Sequence, residues 1–134
     1  MNKFDQSALE EAVAALLRTA GVGRKVFYNR PASTTEDLID FVVCKVSGSI
    51  DDRVALGQCT LSIHLFARDV SNMKNGKKLS VMYGKVINAV PRYLNDKYII
   101  RGNPRTIGDT ADGFGYHVRI VNYKVTIKAT QNNQ

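Results

Sequence analysis

The chain has 134 residues, of which 44% are hydrophobic and 23% charged, and it contains 10 glycines and 3 prolines. This length and composition predict one globular domain over residues 1–134 and argue against a disordered or low-complexity chain. The apolar runs are far shorter than the ~20 residues that cross a bilayer, and the N-terminus lacks the apolar core of a signal peptide. We therefore expect a protein that starts in the cytoplasm and does not enter a membrane.

The chain is basic, with nineteen Lys and Arg against twelve Asp and Glu and a net charge of +7. This charge allows nucleic acid or another polyanion as a partner but does not require one. The basic residues are spread along the sequence, and the nearest approach to a cluster is the run that holds Lys74, Lys77 and Lys78. A solvated basic surface is therefore favoured over a dedicated binding stripe.

Two amphipathic helices are predicted from apolar residues that recur with a period of 3.6. The first covers Ala8 to Ala20 and ends at Gly21, and Ser7 with Glu10 forms a capping-box pattern at its start. Pro91 is expected to kink or tighten the last turn of the second helix. The predicted apolar faces consist of Leu9, Val13, Leu16, Leu17 and Ala20 in the first helix and Leu79, Met82, Tyr83, Val86, Ile87, Val90 and Leu94 in the second.

Three strands are predicted in the first half of the chain. Lys25 to Tyr28 is short and β-prone, which indicates an edge strand, and Leu38 to Ser47 is apolar on both parities, which indicates a strand covered on each face. Strict alternation from Thr60 to Leu65 predicts a third strand that turns its odd-numbered apolar residues toward a core.

The second and third strands should form an antiparallel hairpin that brings the two cysteines near each other. Paired positions that sum to 103 place Cys44 opposite Cys59, whereas a sum of 104 places Cys44 opposite Thr60, and both registers remain open. Both cysteines are expected to be reduced core residues, because neither has a metal-ligand spacing and the expected compartment is reducing.

The last third of the chain predicts two more strands. One starts at Tyr98, and a polar, glycine-containing run from Gly102 to Gly115 is expected to separate it from a long strand over Tyr116 to Ala129. The apolar parity of the long strand switches after Ile120, which predicts a β-bulge or a strong bend. Residues 130–134 are expected to form a frayed tail.

Taken together, these elements predict an α+β fold. It should consist of a mostly antiparallel sheet of about 4–5 strands with the two amphipathic helices packed on one face.

The sequence carries no recognisable reactive centre. His64 and His117 have no second ligand at metal-binding spacing, and no serine lies in a nucleophile elbow. The run from Asp109 to Gly113 lacks the third ligand position and the closing glutamate of a calcium loop, so a hairpin loop is expected there. We predict a protein that is not an enzyme and that uses no metal and no cofactor.

A long connection with apolar residues joins the second and third strands, where a plain hairpin needs about two to five residues. These side chains either fold back over the protein's own core or extend as a ribbon to a neighbouring subunit. Phe114, which lies among glycines and aspartates, is either an exposed anchor or packs back against the sheet edge. The candidate oligomer-interface residues are Ile50, Asp51, Asp52, Arg53, Val54 and Phe114.

The order of the elements resembles that of the tail-completion, or tail-terminator, proteins of long-tailed bacteriophages over nearly the whole chain. The most specific parts are the opening helix that leads to the segment from Lys25 to Pro31, and the central strand from Thr60 to Asp69. In that family the central strand similarly ends in an aromatic, a small residue and a charged pair before the second helix. The last strand, from Tyr116 to Ala129, starts with an aromatic residue as in the family.

This resemblance implies a structural virion protein of a phage or prophage, a subunit that assembles as a ring, usually six-fold. The ring would cap the finished tail tube and join it to the head connector, so the implied partners are other copies of the chain, tail-tube proteins and head-connector proteins. The implied location is the host cytoplasm before assembly and the tail or neck of the virion afterwards. Because DNA must slide through a tail, no specific nucleic-acid binding is expected, and Lys74, Lys77 and Lys78 are predicted on an outer docking surface.

The alternative function is a small basic nucleic-acid-binding module that uses the sheet or the lysine cluster as its contact. Base stacking on a sheet needs exposed aromatics, for which Phe66 and Tyr123 are the candidates. An enzyme with an unrecognised site would instead need a deep pocket with converging titratable groups.

Overall fold

The fold is taken from a computed structural model, which describes residues 6–28, 39–47, 56–91, 94 and 98–128. These residues form two α-helices and five β-strands, and the strands form one sheet in the order β1-β2-β3-β5-β4. The β1/β2 pair is parallel and the other three pairs are antiparallel, so the predicted α+β architecture is confirmed. The elements are α1 (Gln6–Ala20), β1 (Val26–Phe27), β2 (Asp40–Ser47), β3 (Leu56–Arg68), α2 (Gly76–Ala89), β4 (Tyr98–Ala111) and β5 (Tyr116–Lys128).

Helix α1 buries Leu9, Val13 and Leu17, as its apolar period predicts, whereas Leu16 is half-buried and Ala20 is exposed. The helix ends at Gly21, whose φ of 68° lies in the left-handed region that glycine adopts without strain. The N–H of Gly21 donates to the Arg18 carbonyl at 3.1 Å, and the N–H of Val22 donates to the Leu17 carbonyl at 3.2 Å. These bonds satisfy carbonyl groups that the last helical turn would otherwise leave unpaired.

The predicted capping box at the start of α1 is wrong. Ser7 lies inside the helix, and the Glu10 carboxylate accepts the backbone N–H of Val46 on β2 at 2.7 Å. The Gln6 amide donates to the Val46 carbonyl at 2.6 Å. Strand β1 pairs with β2 only at Val42 and Val43, so these two side chains of α1 satisfy backbone groups of β2 beyond the end of β1.

Helix α2 buries Leu79, Met82 and Val86, and the Asn75 side chain caps its start by accepting the Lys78 N–H at 3.2 Å. The helix ends at Ala89 because Val90 is extended, with φ −83° and ψ 113°. A residue that precedes proline is driven out of the helical region by the proline ring. Pro91 therefore follows the helix and does not lie within its last turn, which corrects the prediction.

Both helices pack on one face of the sheet and enclose the main core. The apolar side chains of β2, β3, β4 and β5 that complete this core include Val42, Cys44, Leu61, Ile63, Leu65, Ile100, Val121, Tyr123 and Val125. The other face carries a smaller buried cluster of Phe41, Val43, Phe66 and Tyr116. The rings of Phe41 and Phe66 stack with their centroids 4.3 Å apart, and the Tyr116 ring meets Phe41 edge-on at 5.4 Å. Strand β2 is thus buried on both faces from Asp40 to Cys44, as its sequence predicts, whereas Lys45 and Ser47 are exposed.

The β2/β3 hairpin has a register that neither predicted alternative matches. Cys44 lies opposite Ile63, and Cys59 pairs with Val125 on β5. Both cysteines are buried free thiols on the helix-covered face. Burial raises the pKa of Cys44 to about 12 and that of Cys59 to about 11, so both stay protonated at neutral pH.

Strand β4 occupies most of the run that was predicted to be a loop between Gly102 and Gly115. Its pairing with β5 shifts register between Arg101 and Arg105 and again between Ile107 and Thr110. Strand β5 pairs with β3 without interruption, so the bulge predicted for β5 is wrong and the irregularities lie in β4. The parity switch in β5 instead reflects apolar residues on both faces, because Val118 packs against the smaller cluster while Val121 belongs to the main core.

Candidate functional site

Two tight turns lie side by side at one end of the sheet. The first joins β3 to α2, and in it Val70 and Met73 form an isolated antiparallel bridge with mutual backbone hydrogen bonds of 2.9 Å. Ser71 and Asn72 between them have φ angles of 52° and 63°. Two successive left-handed residues are typical of a type I′ turn, which is a rigid connection.

The second turn joins β4 to β5 and presents Phe114. The Asp112 carboxylate accepts the backbone N–H of Phe114 at 2.7 Å and that of Tyr116 at 3.1 Å. Gly113 and Gly115 have φ angles of 85° and 92°, which a residue with a Cβ would adopt only with strain. The segment from Asp109 to Gly113, considered above as a faint calcium loop, thus completes a hairpin in which the Asp112 carboxylate binds backbone amides.

Backbone and side-chain bonds fasten the two turns to each other. The Asp69 N–H donates to the Gly115 carbonyl at 2.8 Å, and the Asp69 carboxylate lies 2.7 Å from His117 Nδ1. The Arg68 N–H donates to the Ile39 carbonyl at 2.9 Å, which places the start of β2 beside them. The ends of β2, β3, β4 and β5 therefore form one continuous surface.

This surface is apolar although it faces solvent. Phe114 is 75% exposed, Met73 70%, Val70 60% and Ile39 49%. We call these four residues the apolar rim. A single exposed apolar side chain needs no explanation, whereas four of them at one end of the sheet make this end a candidate interaction site.

Phe114 was predicted from the glycines and aspartates around it, and it lies at the exposed tip of the turn, which is the first of the two predicted alternatives. Ile39, Val70 and Met73 were missed. A signal for two of them was present, because Val70 and Met73 flank a Ser-Asn pair in a turn, where apolar residues have no core to enter. The other candidate interface residues, Ile50, Asp51, Asp52, Arg53 and Val54, lie outside the described residues.

An ion-pair network holds the β4/β5 hairpin against α2. Arg119 binds Asp109 with both ends of its guanidinium, at 2.7 Å from Nε and 2.9 Å from Nη2, and Lys74 Nζ lies 3.3 Å from the same carboxylate. The Arg119 guanidinium also lies 5.8 Å from the ring centre of Tyr83 on α2. The hydrogen bonds from Arg119, with a smaller effect of Lys74, hold the pKa of Asp109 below its ordinary value.

We expect Asp109→Asn to lower the free energy of unfolding by about 1–2 kcal/mol near neutral pH, because a charge-assisted pair is lost. The pKa of Asp109 is lower in the folded chain than its ordinary value of 3.8, so ionised Asp109 contributes its full stabilisation above pH 3.8. This contribution falls as the pH drops through the lower pKa of the folded chain. The difference between wild type and variant should therefore shrink below about pH 3.8. Urea unfolding at a series of pH values measures it, and a difference that stays constant down to acid pH would contradict the assignment.

The lysines of the predicted docking surface border the apolar rim. Lys74 follows Met73 and pairs with Asp109, and Lys78 Nζ lies 2.8 Å from the buried Asp40 carboxylate at the start of β2. Lys77 is exposed on α2. The structure thus brings the predicted docking lysines to the same end of the sheet as Phe114, which the sequence did not indicate.

The two aromatic residues considered for base stacking are buried. Phe66 stacks on Phe41 in the smaller cluster, and Tyr123 belongs to the main core, where burial raises its pKa to about 12. Neither side chain presents a ring to solvent. Base stacking on these residues is therefore excluded in this fold.

Within the described part of the chain, no group of three or more His, Cys, Asp and Glu side chains could hold a metal ion. No helix in that part is long and apolar enough to cross a membrane. Neither a protein-family model nor a curated protein sequence matches the chain. The apolar rim is the feature from which the main function is argued below.

Proposed function

We propose that the protein is a non-enzymatic structural subunit of a phage or prophage virion, which forms a ring at the end of the tail tube and joins the tail to the head. The observation that carries this proposal is Phe114, an aromatic side chain 75% exposed at the tip of a turn that Asp112 holds in place. A rigid turn loses little conformational entropy when a partner covers it. Aromatic anchors of this kind dominate the energy of protein interfaces.

The arrangement around Phe114 fits a protein interface. The apolar rim forms the centre. Its polar margin consists of the exposed Lys77 and of Lys74 and Lys78, which are paired with Asp109 and Asp40. An apolar centre with a polar margin is the usual order in an interface. If the rim binds a different surface of the next copy, each copy keeps one free rim and one free acceptor surface. Such head-to-tail contacts close into a ring when the rotation between copies allows it.

The resemblance to tail-completion proteins supports the particular role. The proposed partners are other copies of the chain in a ring of six, the last layer of the tail tube, and the head connector. The subunit would occupy the host cytoplasm before assembly and the tail or neck of the virion afterwards. It would use no cofactor, because its action is association.

Sedimentation equilibrium over a range of protein concentrations tests the proposal. We expect wild-type protein to increase in mean molar mass with concentration, and Phe114→Ser to remain monomeric at concentrations where the wild type associates. Val81→Ser is the matched control, since Val81 is 49% exposed but lies on α2.

A wild-type protein that is monomeric at every concentration would contradict self-association. An equal loss of association in Phe114→Ser and Val81→Ser would contradict the rim as its site, because general surface hydrophobicity would then explain the mass increase.

A further inference from the structure

The face of the sheet turned away from the helices divides into an aromatic half and a polar half. Strand registers place Lys45 opposite Ser62, Ser62 opposite Asn122, and Asn122 opposite Arg105, so these four residues form one row across β2, β3, β5 and β4. Alternation along the strands puts further polar residues on the same side. We call this set the basic strand face: Lys45, Ser47, Thr60, Ser62, His64, Arg105, Asn122 and Lys124.

The charges on this face have one sign. Lys45, Arg105 and Lys124 are exposed, and among the described strand residues that point to this side there is no Asp or Glu. Burial and the nearby Lys45 charge hold the pKa of His64 below its ordinary value. By contrast, Asp40 and Asp109 on the helix side neutralise Lys78, Lys74 and Arg119.

The basic strand face is also concave at its β2 edge. A surface depression of about 440 Å³ at this edge is lined by Gln6, Ser7 and Glu10 of α1, by Tyr28, and by Lys45, Val46, Ser47, Ser62 and His64 of β2 and β3. The Glu10 carboxylate accepts the Val46 N–H at 2.7 Å and the residue is only 6% exposed, whereas Lys45 faces solvent. Among these lining residues Lys45 is the exposed cation, and the hydroxyl groups of Ser47 and Ser62 lie beside it.

We propose that the basic strand face binds the phosphate backbone of duplex DNA without reading its sequence. Lys and Arg flanked by Ser, Thr and Asn donors are the groups that contact phosphate oxygens in protein–DNA complexes. The four-strand row spans roughly 14 Å at ~4.8 Å per strand, close to the ~12 Å width of the major groove, so its two end cations can reach phosphates on both sides of one groove.

An acidic protein surface fits this face less well than DNA does. The row carries a cation at each end, and between them the Ser62 hydroxyl donates to the Asn122 side-chain oxygen, which leaves the Asn122 amide as a neutral donor. A polyphosphate backbone supplies the high, regular charge density that such widely spaced cations need. The aromatic residues of the face, Phe41, Phe66 and Tyr116, are buried in their own cluster, so single-stranded bases have no stacking platform there.

This inference goes beyond the proposed ring function and does not depend on it. The apolar rim lies at the end of the sheet, whereas the basic strand face lies on its broad side. A substitution in the apolar rim therefore leaves the basic strand face unchanged, and the reverse also holds. Loss of self-association and loss of DNA binding can thus be measured separately.

Fluorescence anisotropy of a labelled DNA duplex of mixed sequence, at salt concentrations from about 50 to 200 mM, tests the inference. We expect salt-dependent binding by wild-type protein. The double variant Lys45→Gln/Lys124→Gln should weaken binding by about tenfold and reduce the slope of log K against log salt by about 1.8, since each lost phosphate contact removes about 0.9.

The matched control is Arg24→Gln/Lys85→Gln, which removes the same charge from exposed positions outside this face. It should change affinity by less than about threefold, because Lys45, Arg105 and Lys124 all remain on the face. Circular dichroism confirms that each variant is folded.

Four results would overturn the inference. These are an absence of salt-dependent binding, an equal loss in the control, tighter binding of single strands than of duplex, and displacement of the duplex by poly-glutamate at equal charge concentration. The last result would assign the face to an acidic protein.

Discussion

Phe41→Ala is expected to lower the free energy of unfolding by about 3–5 kcal/mol, the largest effect of any single substitution considered for this protein. Phe41 is fully buried and stacks on Phe66 at 4.3 Å, with Tyr116 against its edge. The substitution removes the transfer energy of the ring and leaves a cavity among aromatic neighbours that cannot collapse into it. Since domains of this size are stable by about 5–15 kcal/mol, the variant should be marginally folded.

Urea unfolding followed by circular dichroism measures this loss as a lower midpoint at an unchanged m-value. Ile107→Ala is the control, because Ile107 also lies on a strand but is exposed, and it should change stability by less than about 0.5 kcal/mol. A loss below about 1 kcal/mol for Phe41→Ala would mean that the smaller aromatic cluster is not a packed interior.

Asp40→Ala is expected to cost about 3 kcal/mol, because Asp40 joins three separate parts of the chain. One carboxylate oxygen accepts the Arg24 N–H at 2.6 Å in the connection between α1 and β1, and the other lies 2.8 Å from Lys78 Nζ on α2. The residue is 2% exposed, so alanine leaves a buried N–H and a lysine without their partner.

Lys78→Met and Lys77→Met separate this role from general surface charge. Lys78→Met should also destabilise, since it leaves the buried carboxylate without its cation, whereas Lys77→Met should be close to neutral because Lys77 is exposed. Equal urea midpoints for Lys78→Met and Lys77→Met would show that the Asp40 ion pair contributes no stability.

The periodic elements of this fold follow from local sequence. Both helices were predicted because their apolar residues repeat at 3.6, and β3 was predicted because Leu61, Ile63 and Leu65 alternate with polar residues. These patterns show which side of a helix or strand is buried. A helix or strand must bury its apolar side whichever element it packs against, so the pattern can be recognised without knowing that element. The double-sided burial of β2 was equally visible, because Phe41 to Cys44 is apolar at every position.

The strand that starts at Tyr98 was predicted, but its continuation to Ala111 was missed because burial does not shape the sequence of that part. Strand β4 is the edge strand next to β5, and residues such as Thr106, Ile107 and Gly108 are exposed. Its register shifts near Pro104 and Gly108 accommodate residues that sequence patterns assign to a loop. An edge strand with bulges shows little alternation of apolar and polar residues in its sequence. The second half of β4 is therefore recognised as a strand by its pairing with β5.

The polar contacts between distant elements also lay beyond local reasoning. Glu10 was interpreted as a helix cap, yet it binds Val46 on β2, and Asp109 pairs with Arg119 across the β4/β5 turn. Each contact depends on which elements become neighbours in the fold. The two partners are not separated by a regular helical or strand spacing, so the sequence does not reveal the contact. Phe114 was anticipated because an aromatic residue among glycines and aspartates has no local core to join.

Electron microscopy of the purified protein at a concentration where it associates tests the central claim most directly, namely that the protein acts by closing into a ring through the apolar rim. The account predicts closed rings of one diameter for wild-type protein and for Val81→Ser, and none for Phe114→Ser. Open filaments, irregular aggregates, or rings that persist in Phe114→Ser would contradict it.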